Sequence, residues 1–390
     1  MLIYELKKIF NKKSLCWGIV IFMFINIINI SINIDNYSGT MDDFNRGWQI
    51  IYKNIKGPIT DEKITYLENY YNNMLEKSNT TKKSDEFLSG YSYGDMNIAL
   101  EHLENIKNAV KYKSDAESIS KSTKAYSNYF HNVGNTYMEH YYNKVSNYYN
   151  KRAIDNYYDY SGINRFLNYN FSSILVLMLC VLYSSVIFSE EKSSGMFDLI
   201  YTSFNGKKNN TKNKILTIFI FVFVLQALFE ICDFITFSCF YNIDGIFTEL
   251  YCIEDYKYTP LNIKIISFVF LRFLYKFTGF ITISTICATI SKLFDNFYSS
   301  IISYITLLLL IFSSGFDSIK ILSLNPIYCI QCYYLFNKIN LMNFFNVPIP
   351  YTNILLIGNL LFIIFLILFC LKFEKGLNMN EKFRVKKNFI

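Results

Sequence analysis

The sequence predicts an all-α polytopic membrane protein with six transmembrane helices, an N-terminal interfacial helix and a large all-helical extracytoplasmic domain between helices 1 and 2. Of the 390 residues, 52% are hydrophobic, and many of them lie in runs of about twenty. A helix of that length crosses the core of a bilayer, whereas a soluble domain has no use for several such runs. Gly and Pro number only 15 and 5, so few helix-interrupting residues are present.

The first region, residues 1–34, combines a surface helix with the first span. Residues 2–13 place apolar side chains on one face and lysines largely on the other, which favours a helix lying in the headgroup plane. The apolar run 15–34 follows at once. It lacks a small-residue cleavage site, so we expect a retained span rather than a removed signal peptide.

The second region, residues 35–165, is predicted to be the extracytoplasmic domain. It has no apolar run of membrane length, and its 16 Lys and Arg nearly balance 17 Asp and Glu, which does not favour nucleic-acid binding. Apolar residues recur at helical spacing, and no stretch alternates convincingly like a strand. We expect helices at 41–56, from Thr60, from Asp95 after a polar loop at 77–94, and at about 115–131 and 135–152.

The third region, residues 166–390, contains the other five predicted spans, at about 166–188, 215–240, 264–290, 297–316 and 352–371. With the amino terminus inside, the inner segments carry 16 Lys and Arg against 7 Asp and Glu, in agreement with the positive-inside rule. Both termini are then cytoplasmic, as are the loop 189–214 and a basic tail at 372–390. The predicted location is the cell (cytoplasmic) membrane, crossed several times.

No catalytic signature appears in the sequence. A GxxxxGK[ST] phosphate loop, an HExxH zinc motif and a GxSxG nucleophile motif are all absent. We therefore expect neither an enzyme active site nor a cofactor or metal in this chain. The three histidines are expected to be solvated or packed in the outer domain. Cys329 and Cys332 lack the second pair or the βαβ context that a zinc or redox site needs.

Four charged residues lie inside predicted spans: Glu230 and Asp233 in span 3, and Arg272 and Lys276 in span 4. An isolated charge there would cost at least ~2.5–3.5 kcal/mol. Because the two spans are antiparallel and the pairs lie at similar depths, we expect them to meet. A static ion-pair lock and a polar patch that lines or controls a pathway both stay open. Arg272→Leu is predicted to leave both carboxylates unpaired and to lower assembly or transport.

Three asparagines, Asn26, Asn29 and Asn33, form a polar stripe along span 1. Asparagine side chains form hydrogen bonds between membrane helices. We favour that role here over a stripe that faces a substrate.

The loop between spans 2 and 3, residues 188–214, contains an amphipathic segment of its own. Ser193 and Ser194 are suited to cap a helix start, and Asn205-Gly206 is a helix stop. Between them, Phe197, Ile200 and Phe204 recur at helical spacing. Such a helix lies either on the bilayer surface or on a partner protein.

These features together resemble the membrane-spanning permease subunit of a type-2 ATP-binding cassette (ABC) exporter. The most specific part is an acidic pair at the end of span 2, a glycine, a short helix, a small-residue and basic turn, and a lysine that opens span 3. The positions that match this pattern are Glu190, Glu191, Gly195, Thr202, Ser203, Gly206, Lys207 and Lys214. The turn reads Asn-Gly-Lys-Lys, with Lys208 last, where the family more often has Gly-Arg.

The resemblance implies that the loop docks onto a separate cytoplasmic ABC ATPase, which binds ATP and Mg²⁺. It also implies a second permease, as a homodimer or a related chain, and a lipid bilayer around both. Two alternatives from other classes stay open: a non-transporting membrane sensor or assembly protein with a ligand-binding outer domain, and an ion-coupled secondary transporter. A peptide antibiotic, a lipid, a drug and an ion all remain possible substrates.

Overall fold

The computed structural model describes residues 4–5, 7–8, 12–38, 51–80, 93–196, 206–241, 243–315 and 324–387. Most of these residues are helical, and six helical segments are long and apolar enough to cross a membrane. The chain is therefore an α-helical polytopic membrane protein. The six segments run over Lys13–Ile32, Ser161–Ser193, Asn210–Phe240, Ile265–Leu293, Asn296–Ser313 and Tyr351–Lys372.

The helices that form these segments match the six apolar runs predicted from the sequence. They are α1 (Lys13–Ser38), α5 (Ser161–Asn168) with α6 (Phe171–Ser184) and α7 (Ser189–Ser193), α8 (Gly206–Phe240), α9 (Ile265–Leu293), α10 (Asn296–Ser313) and α13 (Tyr351–Lys387). The second segment begins earlier than predicted because α5 buries one face, which includes Ile163 and Phe166. Residues 4–5 and 7–8 are helical as expected, whereas the rest of the predicted surface helix before residue 12 lies outside the described residues.

The region between α1 and α5 is a helical domain built on α2 (Asp61–Thr80), α3 (Tyr93–Asn132) and α4 (Thr136–Tyr149). Residues 51–55 are helical too, and their Ile51 and Ile55 pack with Leu67 in the domain core. Asn135 caps α4 by accepting a hydrogen bond from the Met138 backbone N–H at 3.1 Å. The predicted helix at 41–56 is described only from residue 51.

Two predicted helices, one from Asp95 and one at 115–131, are a single helix of 40 residues, so the predicted break was wrong. Tyr112 and Ala116 lie at the predicted break, and both are buried in a cluster with Tyr149 of α4. This packing continues the buried face of α3 through a stretch whose sequence is mostly polar.

Two small antiparallel sheets depart from the all-α prediction. Gly57–Pro58 (β1) pairs with Asn156–Tyr157 (β2) and joins the two ends of the helical domain. Leu341–Phe344 (β3) and Val347–Pro350 (β4) form a hairpin before α13. Its turn residues, Phe345 and Asn346, both have positive φ, as tight hairpin turns require. Two short helices, α11 (Pro326–Ile330) and α12 (Cys332–Phe336), precede the hairpin.

A buried arginine joins the helical domain to the loop between α8 and α9. Arg152 is 2% exposed, and its guanidinium donates to Asn262 Oδ1 at 2.8 Å and to the Thr259 carbonyl at 2.7 Å. It also lies 4.8 Å and 5.0 Å from the ring centroids of Tyr149 and Tyr251. The domain therefore packs directly on this loop of the membrane-spanning bundle.

Candidate functional site

Among the described residues, charged and polar side chains of the bundle gather in two clusters. The end cluster lies where the loop after α7 begins, and the mid-bundle cluster lies deeper among the spans. The end cluster comprises Lys8, Lys12, Glu190, Glu191, Lys214 and Lys292. The mid-bundle cluster comprises Asn26, Glu230, Asp233, Arg272 and Lys276.

In the end cluster, Glu190 contacts the segment that precedes α1. Its Oε2 lies 2.8 Å from Lys12 Nζ and 3.4 Å from Lys8 Nζ. The Glu190 side chain is 35% exposed and both lysines are about as exposed. A pair this accessible to solvent contributes about 0.2–1 kcal/mol, so it positions the segment before α1 without locking it.

Glu191, the next residue, is buried and contacts the beginning of α8. Its Oε2 lies 2.7 Å from Lys214 Nζ and accepts a hydrogen bond from Asn210 Nδ2 at 3.0 Å. The Lys214 side chain is fully buried and also donates to the Ile187 carbonyl at 2.6 Å. Adjacent glutamates therefore hold two different elements, because one faces solvent and the other faces the core.

The end cluster also reaches α9 and α13 through Lys292. This ammonium donates to the Cys370 carbonyl at 2.7 Å and to Thr211 Oγ1 at 3.2 Å, while Lys192 Nζ donates to the Lys292 carbonyl at 2.6 Å. The Phe188 ring lies 5.0 Å from Lys214 Nζ and 5.3 Å from Lys292 Nζ, within the range of cation–π contacts. The beginning of the loop is therefore linked to α8, α9, α13 and the segment before α1.

The structure places the other predicted loop residues as follows. Gly195 lies one residue beyond the cap of α7 and has a φ of 69°, a conformation that favours glycine and ends the helix. Gly206, predicted as a helix stop, instead begins α8, and Lys207 and Lys208 lie in its first turn. Ser193 ends α7 and Ser194 follows it, while the helix that they were predicted to cap extends beyond Met196, outside the described residues. Phe197, Ile200 and Phe204 lie outside the described residues.

In the mid-bundle cluster, Glu230 of α8 contacts both cations of α9, as its depth predicted. Its Oε1 lies 3.0 Å from Lys276 Nζ and 3.7 Å from an Arg272 guanidinium nitrogen. Arg272 also donates to the Phe166 carbonyl at 2.9 Å and to the Tyr169 carbonyl at 3.3 Å. Both cations are 1% exposed, so this network fastens α8, α9 and the turn between α5 and α6 together.

Asp233 does not share this ion-pair network, contrary to the prediction that both carboxylates pair with the α9 cations. Its Oδ1 accepts a hydrogen bond from Asn26 Nδ2 at 2.6 Å, and Asn26 Oδ1 in turn accepts one from the Tyr169 hydroxyl at 2.8 Å. The reason is that α1 packs beside α8 and presents Asn26 to Asp233. The Asn26 contact agrees with the preferred role of the asparagine stripe.

Cys329 and Cys332 are buried thiols that do not form a disulfide. Burial raises the pKa of Cys329 to about 12 and that of Cys332 to about 11. Cys332 Sγ donates to the Cys329 carbonyl at 3.0 Å. Thiols with raised pKa values are poor nucleophiles and poor metal ligands, and no cluster of metal-ligating side chains occurs among the residues that the structure describes.

Three participants were not identified from the sequence as site residues. Lys8 and Lys12 belong to the stretch predicted as a surface helix, and Lys292 follows the fourth predicted span, 264–290. Their partners are more than seventy positions away in the chain, so no local pattern indicates these contacts. Comparisons of this chain with protein-family models, with curated proteins and with solved structures find no match.

Proposed function

We propose that this chain is the permease subunit of an ABC exporter in the cytoplasmic membrane. In this proposal a separate ATPase subunit binds ATP and Mg²⁺ and docks on the loop between α7 and α8. The observation that carries the proposal is the end cluster. It joins the beginning of that loop to α8, α9, α13 and the segment before α1.

A docking loop must transmit the movement of its partner to the spans. The buried Glu191–Lys214 pair and the Lys214 bond to the Ile187 carbonyl fasten the end of the second span to the start of α8. Breaking this buried pair is costly, about 1.5–3 kcal/mol even though Asn210 still donates to Glu191. A displacement of the loop is therefore passed to both helices rather than absorbed between them.

A complete translocation unit in this proposal contains two permeases and two ATPases. Apolar side chains on the outside of α10, among them Leu308, Leu309 and Phe312, are 62–69% exposed in the single chain. Lipid or the second permease covers such a surface in a membrane. Whether the second permease is identical or a related chain is an outcome of the purification below.

The test is affinity purification of the tagged chain from native membranes, followed by measurement of bound ATPase and its turnover. The charge reversal Lys207→Glu with Lys208→Glu is expected to remove the ATPase, because both lysines flank the proposed docking helix. The matched control is Lys111→Glu with Lys113→Glu, two exposed lysines of α3.

We expect an ATP-binding cassette subunit with the wild-type chain and with the control, and its loss with the Lys207 and Lys208 variant. An ATPase that remains bound and coupled in that variant contradicts docking at this loop. Glu191→Lys is a poor substitute, since Glu191 is buried against Lys214 and its reversal would unfold this end of the bundle.

One observation favours a second candidate function, a membrane sensor with a ligand-binding domain. A cleft of about 500 Å³ opens between α3 and the loop that follows α8. Absence of any ATPase from the purified wild-type chain, together with ligand binding in this cleft, would favour the sensor.

A further inference from the structure

A cleft of about 500 Å³ between the helical domain and the bundle has no part in the proposed export function. It has three walls that come from distant parts of the chain. They are one face of α3, the segment 154–164 that leads into α5, and residues 251–257 after α8. The volume lies within the range of sites for small organic ligands, roughly 300–1,000 Å³.

The α3 wall is a single helical face. Its lining residues Glu101, Asn105, Asn108 and Tyr112 are spaced three and four positions apart, so their side chains project on one side. The first three are exposed, although α3 packs on both α2 and α4. This polar face is therefore presented to the cleft instead of being covered by the domain.

The second wall is aromatic, and its packing depends on a glycine. Tyr158 and Tyr160 meet edge to face with centroids 6.3 Å apart. Both rings pack on Gly245, where an added Cβ would lie 2.9 Å from a Tyr160 ring carbon and 3.0 Å from Tyr158 Cβ. Gly245 also has a φ of 86°, which a side chain would strain. The absence of a side chain at Gly245 leaves room for the two tyrosine rings, which form this side of the cleft.

The charge of the lining is negative. Glu101, Asp159 and Glu254 face a single cation, Lys257, whose Nζ lies 5.7 Å from the Tyr112 ring centroid. Within the part of the chain that the structure describes, Glu101 and Glu254 take part in no ion pair. Partial burial, and then the nearby carboxylates of Asp159 and Glu104, raise the pKa of Glu101. A bound cation would relieve this repulsion.

We propose that the cleft binds an organic cation, a guanidinium or amine carried on an apolar or aromatic body. Carboxylates attract the positive group, and tyrosine rings favour both a cation and an apolar surface. The same structure shows this chemistry next to the cleft, where the Arg152 guanidinium lies between Tyr149 and Tyr251, and Tyr251 also lines the cleft. This inference goes beyond the proposed function and does not depend on it.

Occupancy of the cleft would bridge the domain and the bundle. The third wall belongs to a loop whose Leu250 backbone N–H donates to the Ile263 carbonyl at 2.9 Å, two residues before α9 begins. A ligand that contacts both α3 and this loop thereby adds a link between the helical domain and the start of α9.

The test is equilibrium binding of radiolabelled N-benzoyl-argininamide to the full chain in nanodiscs. Its analogue N-benzoyl-citrullinamide has nearly the same shape but carries a neutral ureido group in place of the charged guanidinium. We expect saturable binding of the arginine compound and about tenfold weaker binding of the citrulline compound. The double substitution Glu101→Gln with Glu254→Gln is expected to weaken binding about fivefold.

The matched control is Glu117→Gln, an exposed carboxylate on the same helix that does not line the cleft. We expect less than about a twofold change in this variant. All three glutamates are exposed, so the variants keep the fold, and an unchanged size-exclusion profile checks this. Equal binding of the two compounds, no saturable binding, or unchanged binding in the double variant would overturn the proposal. None of these results affects the ATPase purification.

Discussion

The mid-bundle cluster and the end cluster contain similar side chains but enclose them differently. Arg272 and Lys276 are 1% exposed, and Glu230 lies between them. In the end cluster, Glu191 is enclosed in the same way, while neighbouring Glu190 is 35% exposed. The comparison separates charges that fasten helices permanently from charges that hold a segment loosely. Of the two clusters, only the end cluster contains both buried and exposed charges. In the proposed function, this combination suits a loop that binds a partner and transmits its movement to the spans.

The largest expected effect is at Glu230. Glu230→Leu leaves Arg272 and Lys276 as two buried cations without their shared carboxylate, and such a loss costs about 3–5 kcal/mol. We expect a strongly reduced thermal unfolding midpoint in nanodiscs. The earlier expectation for Arg272→Leu now changes, because Asp233 keeps Asn26 and Glu230 keeps Lys276. Arg272→Leu therefore removes only the ion pair with Glu230 and the two hydrogen bonds to the Phe166 and Tyr169 carbonyls.

A double-mutant cycle of Glu230→Leu and Arg272→Leu measures this pair directly. Glu117→Leu on the exposed surface of α3 is the control and should leave the midpoint nearly unchanged. Additive losses in the cycle would show that Glu230 and Arg272 do not interact.

The second effect is in the buried half of the end cluster. Lys214→Met removes the ion pair of Glu191 but leaves the Asn210 hydrogen bond, so we expect a loss of about 1.5–3 kcal/mol. Chemical unfolding of the purified chain measures it. A Lys214→Met protein as stable as the wild type would mean that this pair does not fasten α8 to the second span.

The third effect is at the α1–α8 contact. Asn26→Leu removes both the donor to Asp233 and the acceptor of the Tyr169 hydroxyl, and we expect a loss of about 0.6–1.7 kcal/mol, typical of polar contacts between membrane helices. Replacing Asp233 by Leu as well should restore much of the stability, since no buried carboxylate is then left without its donor. Failure of the double variant to recover would indicate a different role for Asp233.

The smallest effect is in the exposed half of the end cluster. Lys12→Met breaks the 2.8 Å contact with Glu190, and we expect only about 0.2–1 kcal/mol. The loss should shrink at high salt, because mobile ions screen exposed charges. Unfolding at two ionic strengths tests this, with Lys214→Met as the comparison. Equal losses at Lys12 and Lys214 would contradict the distinction between the two halves.

The sequence was sufficient for the spans and for part of the clusters. A run of apolar residues identifies a spanning helix without reference to other elements. The contact of Glu230 with Arg272 and Lys276 was predictable because these residues lie at similar depths in antiparallel spans. Asp233 was misassigned because its partner depends on which helix packs beside α8. The acidic pair at 190–191 is visible in the sequence, but the burial of its second member alone depends on tertiary packing.

The remaining features depend on contacts between distant segments. The continuity of α3 near Tyr112 requires Tyr149 and Tyr251, neither of which is close in sequence. The cleft takes its walls from three segments, so no single pattern predicts it. The short β3–β4 hairpin is held by the helical domain, as in the 2.9 Å bond from Lys144 Nζ to the Pro348 carbonyl.

The most direct measurement is hydrogen exchange of the chain in nanodiscs, with and without the ATPase that the proposed function expects to co-purify with it. Docking on the loop predicts slower exchange of residues 189–214 when the ATPase is added. Exchange in α3, on the helical domain, should not change. Unchanged exchange of residues 189–214, or protection confined to the helical domain, would contradict the proposed coupling role of the end cluster.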